Sequence, residues 1–135
     1  MNWEPLLAAA IEARRHSHSP YSRFAVGAAV LTERGEIVPG ANVENRSFGV
    51  TLCAERSAFA AAISAGHRSF RAVAIVTESS PPAAPCGLCR ETMSEFCEPG
   101  MPILLANLQG ERRLSSLGEL FPEPFRFAPG KTSSA

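Results

Sequence analysis

The stretch Thr51-Leu52-Cys53-Ala54-Glu55-Arg56-Ser57-Ala58 brings a thiol, a carboxylate and a guanidinium together where an Ala-rich, helix-like run begins. A second segment, Pro85-Cys86-Gly87-Leu88-Cys89-Arg90, carries a thiol pair and also opens a helix-like pattern. Between them lies an apolar strand-like run, Phe70 to Thr77, rich in Val and Ile. Helices that alternate with strands imply parallel strands joined by crossovers. This reading decides the fold: a three-layer α/β/α sandwich around one mixed sheet of about five strands.

Three thiols with one carboxylate beside them describe a metal site with a proton carrier. Zinc is the natural occupant, because soft thiolates and a tetrahedral demand suit it. Cys86 and Cys89, three apart on a helix, share a face and can grip one ion. Cys53 would come from the start of another helix, and Glu55, two residues on, points elsewhere. Glu55 is then free to reach whatever fills a fourth, open position, the mark of a catalytic zinc rather than a structural one. Zinc lowers the pKa of bound water toward about 7. Three thiolates donate too much charge for that purpose, so two positive helix ends, with Arg56 and Arg90 nearby, are expected to offset the excess.

Working outward, residues 3–18 show helical spacing of Leu6, Leu7, Ala10 and Ile11, with Glu4 and Pro5 as start signals. His16 and His18 are expected to close this helix. Residues 24–31, Phe-Ala-Val-Gly-Ala-Ala-Val-Leu, form a buried strand whose small residues admit a close helix. Glu33-Arg34-Gly35-Glu36 makes a hairpin turn into a second strand at 37–43, placed at an edge by Pro39. The helix from Cys53 ends at Gly66 and presents Ala58, Ala61, Ala62 and Ala65 as a smooth face. His67 is assigned to a loop. A Pro-rich loop delivers the cysteine pair, and a helix from Cys86 to Phe96 stops at Pro99-Gly100. A fourth strand at 103–106, a weak fifth near 112–114 and a short helix at 116–120 follow. Cys97 shares a helical face with Cys89 and Met93 and reads as packing.

The 135 residues suit a single domain, assigned to 1–130, with a frayed tail at 131–135. Lys plus Arg and Asp plus Glu both total 13, so no basic excess argues for a nucleic-acid duplex. The absence of a leader-like segment or a long apolar run gives the expectation of a soluble, cytoplasmic protein without a membrane partner. In that setting four cysteines with a Cys-x-x-Cys at a helix start suggest metal or redox use rather than two disulfides.

Cys53-Ala54-Glu55 together with Pro85-Cys86-Gly87-Leu88-Cys89 resembles the small, homotetrameric, three-cysteine class of cytidine deaminases. The resemblance runs from Pro20-Tyr21-Ser22-Arg23-Phe24 through Phe125, and it implies the same three-layer architecture. It implies Zn2+ held by Cys53, Cys86 and Cys89, with Glu55 as the catalytic proton shuttle rather than a ligand. The implied reaction is hydrolytic deamination of cytidine or deoxycytidine to uridine or deoxyuridine plus ammonia, a step of pyrimidine salvage. Asn42 and Glu44, an amide and a carboxylate able to bind sugar hydroxyls, match the family's ribose-binding positions. Phe24 would pack beside the nucleoside, and the Ala54 and Cys53 main chain would contact the ring. Phe48 and Phe125 would reach a neighbouring subunit's pocket, Phe125 (or alternatively Phe127) stacking on the pyrimidine. Arg56 would tune the charge of the thiolates. Three positions depart from the pattern: Phe48 stands where Tyr is common, Arg46 replaces a small residue, and Glu91 replaces Gln. They bear on the substrate, not on the ligands or Glu55.

Two other classes fit parts of the pattern. A structural zinc module would recruit Cys97 or a His as fourth ligand, although Cys97 lies about two helical turns past Cys89. A thiol redox protein would pair Cys86 with Cys89 and leave Cys53 and Glu55 unexplained.

Overall fold

A computed structural model of the chain describes residues 1–126; Phe127 and the expected tail at 131–135 lie outside the described residues. The chain runs α1 (Glu4–Arg14), β1 (Gly27–Thr32), β2 (Ile37–Ala41), α2 (Ala54–Ser64), β3 (Phe70–Thr77), α3 (Gly87–Phe96), β4 (Pro102–Asn107), β5 (Arg112–Ser116) and α4 (Leu117–Leu120). A 3-10 turn, Phe48–Val50, precedes α2. The five strands form one sheet in the order β2-β1-β3-β4-β5. Only β3 and β4 are parallel neighbours; β1 pairs antiparallel with both β2 and β3, and β5 antiparallel with β4. The expected crossovers are present, but β1 lies between the two strands that α2 connects, so the sheet is mixed.

The two faces of the sheet are covered separately. Leu6, Leu7 and Ala10 of α1 pack with Ala29, Ala72, Ala74, Val76 and Leu104 on one side. Ala54, Ala58, Phe59 and Ala62 of α2, with Cys89 and Met93 of α3, pack with Val30, Val73, Ile75, Ile103 and Leu105 on the other. Burying each Leu, Ile or Phe contributes roughly 1.5–3 kcal/mol, so both faces are needed to hold a chain of this size. Of the smooth face expected on α2, Ala58 and Ala62 meet the sheet, whereas Ala61 and Ala65 face outward. The α2 helix turns off at Gly66, whose φ of +102° only glycine adopts without strain.

Glycine lets both layers approach closely. A Cβ at Gly27 would lie 2.0 Å from the Ala10 carbonyl oxygen of α1, and one at Gly40 would lie 2.4 Å from the Ala58 amide nitrogen of α2. Pro39 sits on the edge strand, as its missing N–H requires. The opposite edge strand is guarded by exposed Arg112 and Arg113.

Three boundaries differ from expectation, each for a hydrogen-bonding reason. Strand β1 begins at Gly27 rather than Phe24, because the Asn42 side chain takes the Val26 N–H and donates to the Phe24 carbonyl in place of a ladder. Strand β2 ends at Ala41, and Val43 bridges instead to Leu52 and His18. Helix α1 ends at Arg14, after which His16 and Ser17 make tight turn bonds to Ala13 and Arg14. His16 and His18 therefore lie beyond the helix. His67 is buried, not a loose loop residue, with Nε2 at 3.3 Å from Glu36 Oε1.

Candidate metal centre and catalytic cavity

Cys53 and Cys86 are the N-cap residues of α2 and α3, and neither uses its side chain to cap its helix. Both sulfurs thus sit at positive helix ends with their lone pairs uncommitted to the main chain. Cys89, one turn into α3, is fully buried. The Cys53–Cys86 and Cys86–Cys89 Sγ separations are both 3.5 Å, and all three sulfurs lie within 4.8 Å of one another. Zn–S bonds of about 2.3 Å in a tetrahedron need sulfurs roughly 3.8 Å apart. The two 3.5 Å separations lie within a few tenths of an ångström of that value, so the triad is of a size to hold zinc. Among the described residues no fourth His, Cys, Asp or Glu joins this cluster. Cys97 caps the far end of α3, where burial pushes its thiol up to about 12.

The sulfurs are electrostatically unequal. The nearby Cys89 thiol, aided by Arg56 and Cys86, holds Cys53 down at about 5 against the effect of burial. The neighbouring Cys53, together with burial, pushes Cys89 well above the ordinary thiol range. Arg56 donates to the Thr51 carbonyl at 3.0 Å and to Cys53 Sγ at 3.7 Å, and the Cys53 contact raises its own pKa. The expected tuning role of Arg56 thus has a direct contact behind it.

The mouth of the triad opens into a cavity of about 260 Å³, near the lower end of the roughly 300–1,000 Å³ usual for small ligands. Phe24, Asn42, Glu44, Cys53, Ala54, Glu55 and Cys86 all line it. Glu55, in the first turn of α2, is only 4% exposed. Burial lifts its carboxyl to about 7, and the charge on Cys53 pushes the same way. A carboxylate outside the ligand cluster but on the same cavity wall is what a proton carrier requires and a structural zinc module does not. A dithiol redox pair would need neither this carboxylate nor the third sulfur.

The polar end of the cavity is already organised. Asn42 Oδ1 accepts from Ser17 Oγ at 2.5 Å and Val26 N at 2.9 Å, and Nδ2 donates to Phe24 O at 2.8 Å. An amide has two N–H donors and two acceptor lone pairs, so one N–H remains for a ligand. Glu44 accepts from the Tyr21 and Ser22 amides at 3.0 and 3.1 Å and from Ser22 Oγ, and these bonds hold its carboxyl below the usual range. That loop contains Arg23 at φ 59°.

Phe48 and Phe125 do not line this cavity in their own chain. Phe48 is 74% exposed and makes an edge contact with Tyr21 at 6.2 Å between centroids, while Phe125 is 73% exposed. Sequence reasoning did not single out Ala83 and Ala84, cavity-lining residues of the Pro-rich loop, or Ser22 and Thr77. For the first pair the sequence signal is proximity to Cys86; Ser22 lies in the resembling segment 20–24, and Thr77 closes the expected strand 70–77.

Residues 1–104 match the family model described as the cytidine and deoxycytidylate deaminase zinc-binding region. The chain is 45% identical over 125 residues to a cytidine deaminase of Sporosarcina psychrophila, covering 93% of this chain and 92% of the relative. It is 32% identical over 105 residues to a blasticidin-S deaminase of Bacillus cereus, covering 72% and 74% of the two chains. The crystal structure of cytidine deaminase from Burkholderia pseudomallei superposes with a TM-score of 0.89 at 45% identity, over 93% of this chain and 100% of that one. A three-thiol cluster with a buried carboxylate on its cavity, and likeness over nearly the whole length, have one reading: the chain belongs to the cytidine and deoxycytidylate deaminase zinc-binding family.

Proposed function

We propose that the protein deaminates cytidine and deoxycytidine hydrolytically, giving uridine or deoxyuridine and ammonia, as a cytoplasmic enzyme of pyrimidine salvage. The observation that carries this is the placement of buried Glu55 on the same cavity wall as the three-sulfur cluster. When bound, zinc supplies the Lewis acidity that makes water nucleophilic near neutral pH. Cys53, Cys86 and Cys89 hold the ion. Glu55 takes one proton of the attacking water and passes it to the ring nitrogen. It then carries the second, from the oxygen now bonded to C4, to the amine as the C4–N bond breaks and the carbonyl forms. A buried carboxylate suits this work because it must cycle through both protonation states within one turnover. Phe24 packs beside the base, the Cys53–Ala54 main chain meets the ring, and the spare Asn42 N–H and Glu44 bind sugar hydroxyls.

A pyrimidine has two faces, and among the described residues this chain's own cavity offers only Phe24 as an aromatic surface. Exposed Phe48 and Phe125, with Val50 and Leu88, support completion of the site by a second copy, in a homotetramer with shared sites.

The direct test is loss of ultraviolet absorbance from cytidine, deoxycytidine and blasticidin S by zinc-quantified protein. Turnover of the nucleosides is expected. Turnover of none, with zinc present, overturns the reading; turnover of blasticidin S alone replaces the substrate and keeps the chemistry. Mixing inactive Glu55→Ala with a Phe125→Ala protein made inactive by a second tail deletion, under subunit exchange, tests sharing. Recovered activity is expected, and none despite proven exchange rejects it.

A further inference from the structure

We propose that Asn107 and Glu111, at the β4–β5 turn, are positioning residues that hold the loop carrying Cys86 and thereby set metal retention and the shape of the cavity wall. The activity arm of this proposal rests on the deaminase reading above; its metal arm does not.

Outside the strand ladder, and among the described residues, the loop from 78 to 85 makes no main-chain-to-main-chain hydrogen bond. Pro81, Pro82 and Pro85 have no N–H to offer. What ties the loop to the rest of the chain is side-chain chemistry at its two ends. At the far end, Arg90 Nε donates to the Pro85 carbonyl at 2.9 Å. At the near end, Asn107 Nδ2 donates to the Ser79 carbonyl at 3.1 Å, and Ser80 Oγ donates to Glu111 Oε1 at 2.5 Å. Arg14 reaches Glu78 at the root of the loop, 3.4 Å away.

Asn107 is the buried centre of this arrangement, 5% exposed. Its Oδ1 accepts from the Gln109 and Glu111 amides, both at 3.0 Å, while Nδ2 donates to Ser79 O and, at 2.6 Å, to Glu111 Oε1. One side chain therefore joins the turn to the loop with every hydrogen-bonding capacity of its amide used. Asn107 does not line the cavity, but its register partner across the parallel pair, Thr77, does. Ala83 and Ala84 line the cavity and Cys86 supplies a sulfur, so a shift of the loop root reaches both ligand and wall.

The competing account is that Asn107 only shapes its own turn. Asn107→Asp separates the two, because a carboxylate still accepts from both turn amides but cannot donate to Ser79. Adding Glu111→Gln removes the like-charge contact that this substitution creates. Ser80→Ala cuts the second tether without touching the turn. Each variant is loaded with zinc and mixed with a chromophoric chelator, well below its thermal transition. Zinc release should be about 3–10-fold faster than in the parent, below the roughly 10–100-fold seen for groups that contact a ligand directly. KM for cytidine should rise by more than kcat falls. Parental zinc release in both the Asn107→Asp/Glu111→Gln double variant and Ser80→Ala overturns the proposal. So does release that accelerates only as the protein unfolds, which marks a merely structural role. A chain with no deaminase activity at all would sink the functional reading but leave the chelator result to decide this one.

Discussion

Gly40→Ala tests how the fold places the catalytic groups. A Cβ on Gly40 would stand 2.4 Å from the Ala58 amide nitrogen and 2.7 Å from the Ala54 carbonyl oxygen. Both atoms are main chain of α2, so no rotamer change relieves the clash. Bringing the closer contact out to 3.0 Å makes the helix retreat by about 0.6 Å. That helix carries Cys53 at its N-cap and Glu55 in its first turn. Overpacking costs about 1–3 kcal/mol, and main-chain contacts place this case at the upper end, a fall in Tm of roughly 7–11 °C for a chain of this size. Misplacing reacting groups by about 1 Å costs on the order of 10²-fold, so kcat/KM per bound zinc should fall on the order of tenfold.

The internal control is Gly27→Ala, whose Cβ would meet the Ala10 carbonyl oxygen at 2.0 Å and the Arg14 amide at 2.6 Å. It disturbs α1, on the opposite face of the sheet, and should lower Tm at least as much while leaving kcat per bound zinc close to parental. Arg14 also donates to the Ala25 carbonyl at 3.0 Å, beside Phe24, so any kinetic change should appear in KM. The assay is calorimetry with kcat and KM for cytidine, both referred to measured zinc. Gly40→Ala with parental Tm and kcat/KM would show that this contact does not set the helix position. Gly27→Ala losing kcat as severely would show that the two layers are not independent.

Glu55→Ala should keep zinc and fold but lose turnover by about 10²–10⁴-fold or more, the usual worth of a general acid–base group; parental turnover rejects the mechanism. Cys53→Ala, Cys86→Ala and Cys89→Ala should each lower zinc content by emission spectrometry and Cys97→Ala should not; X-ray absorption showing four sulfurs rejects the open site. Burial raises Cys97 from 9.0 to about 12, so its stabilising share is complete below pH 9 and is lost as pH rises toward 12. Urea unfolding of the zinc-loaded parent and Cys97→Ala between pH 8 and 11 should show the parent losing more stability; parallel curves contradict the burial. Phe125→Ala should raise KM about twofold to tenfold with zinc intact, from the loss of roughly 0.5–1.5 kcal/mol of stacking; an unchanged KM removes the residue from the site.

Much of this was legible because the chemistry and the periodicity coincide. Cys53 and Cys86 mark helix starts, and Gly66 and Pro99-Gly100 mark the ends, so both ligand-bearing helices could be placed within a residue or two of their observed bounds. The apolar run Phe70–Thr77 forms β3 over its whole length because it lies between β1 and β4 and is covered on both faces. The edges were less legible. Residues 24–26 have the composition of strand, yet the Asn42 side chain takes their hydrogen bonds and turns them into a cavity wall. From sequence Asn42 reads as a sugar ligand alone, because its three internal partners, Ser17, Phe24 and Val26, are far away along the chain.

That difference has a physical basis. A metal ligand set announces itself by residue type and spacing, since the ion imposes both. A hydrogen-bonded support has no such signature: Asn107, Glu111 and Arg14 are isolated polar residues with no period, each reading as turn or surface until the partners are known, and Arg90, expected to offset thiolate charge, donates instead to the Pro85 and Leu120 carbonyls. Asn107 reaches Ser79 because β3 and β4 are parallel neighbours with Thr77 opposite Asn107, so both chains leave the sheet at the same end. Their departing loops meet there, one bearing Cys86 and the other a hairpin turn. Parallel pairing at the centre of a mixed sheet thus puts the ligand-bearing loop beside a turn that can anchor it. An antiparallel partner in the place of β4 would run the other way and leave from the opposite edge, and the Pro-rich loop would lack its near-end tether.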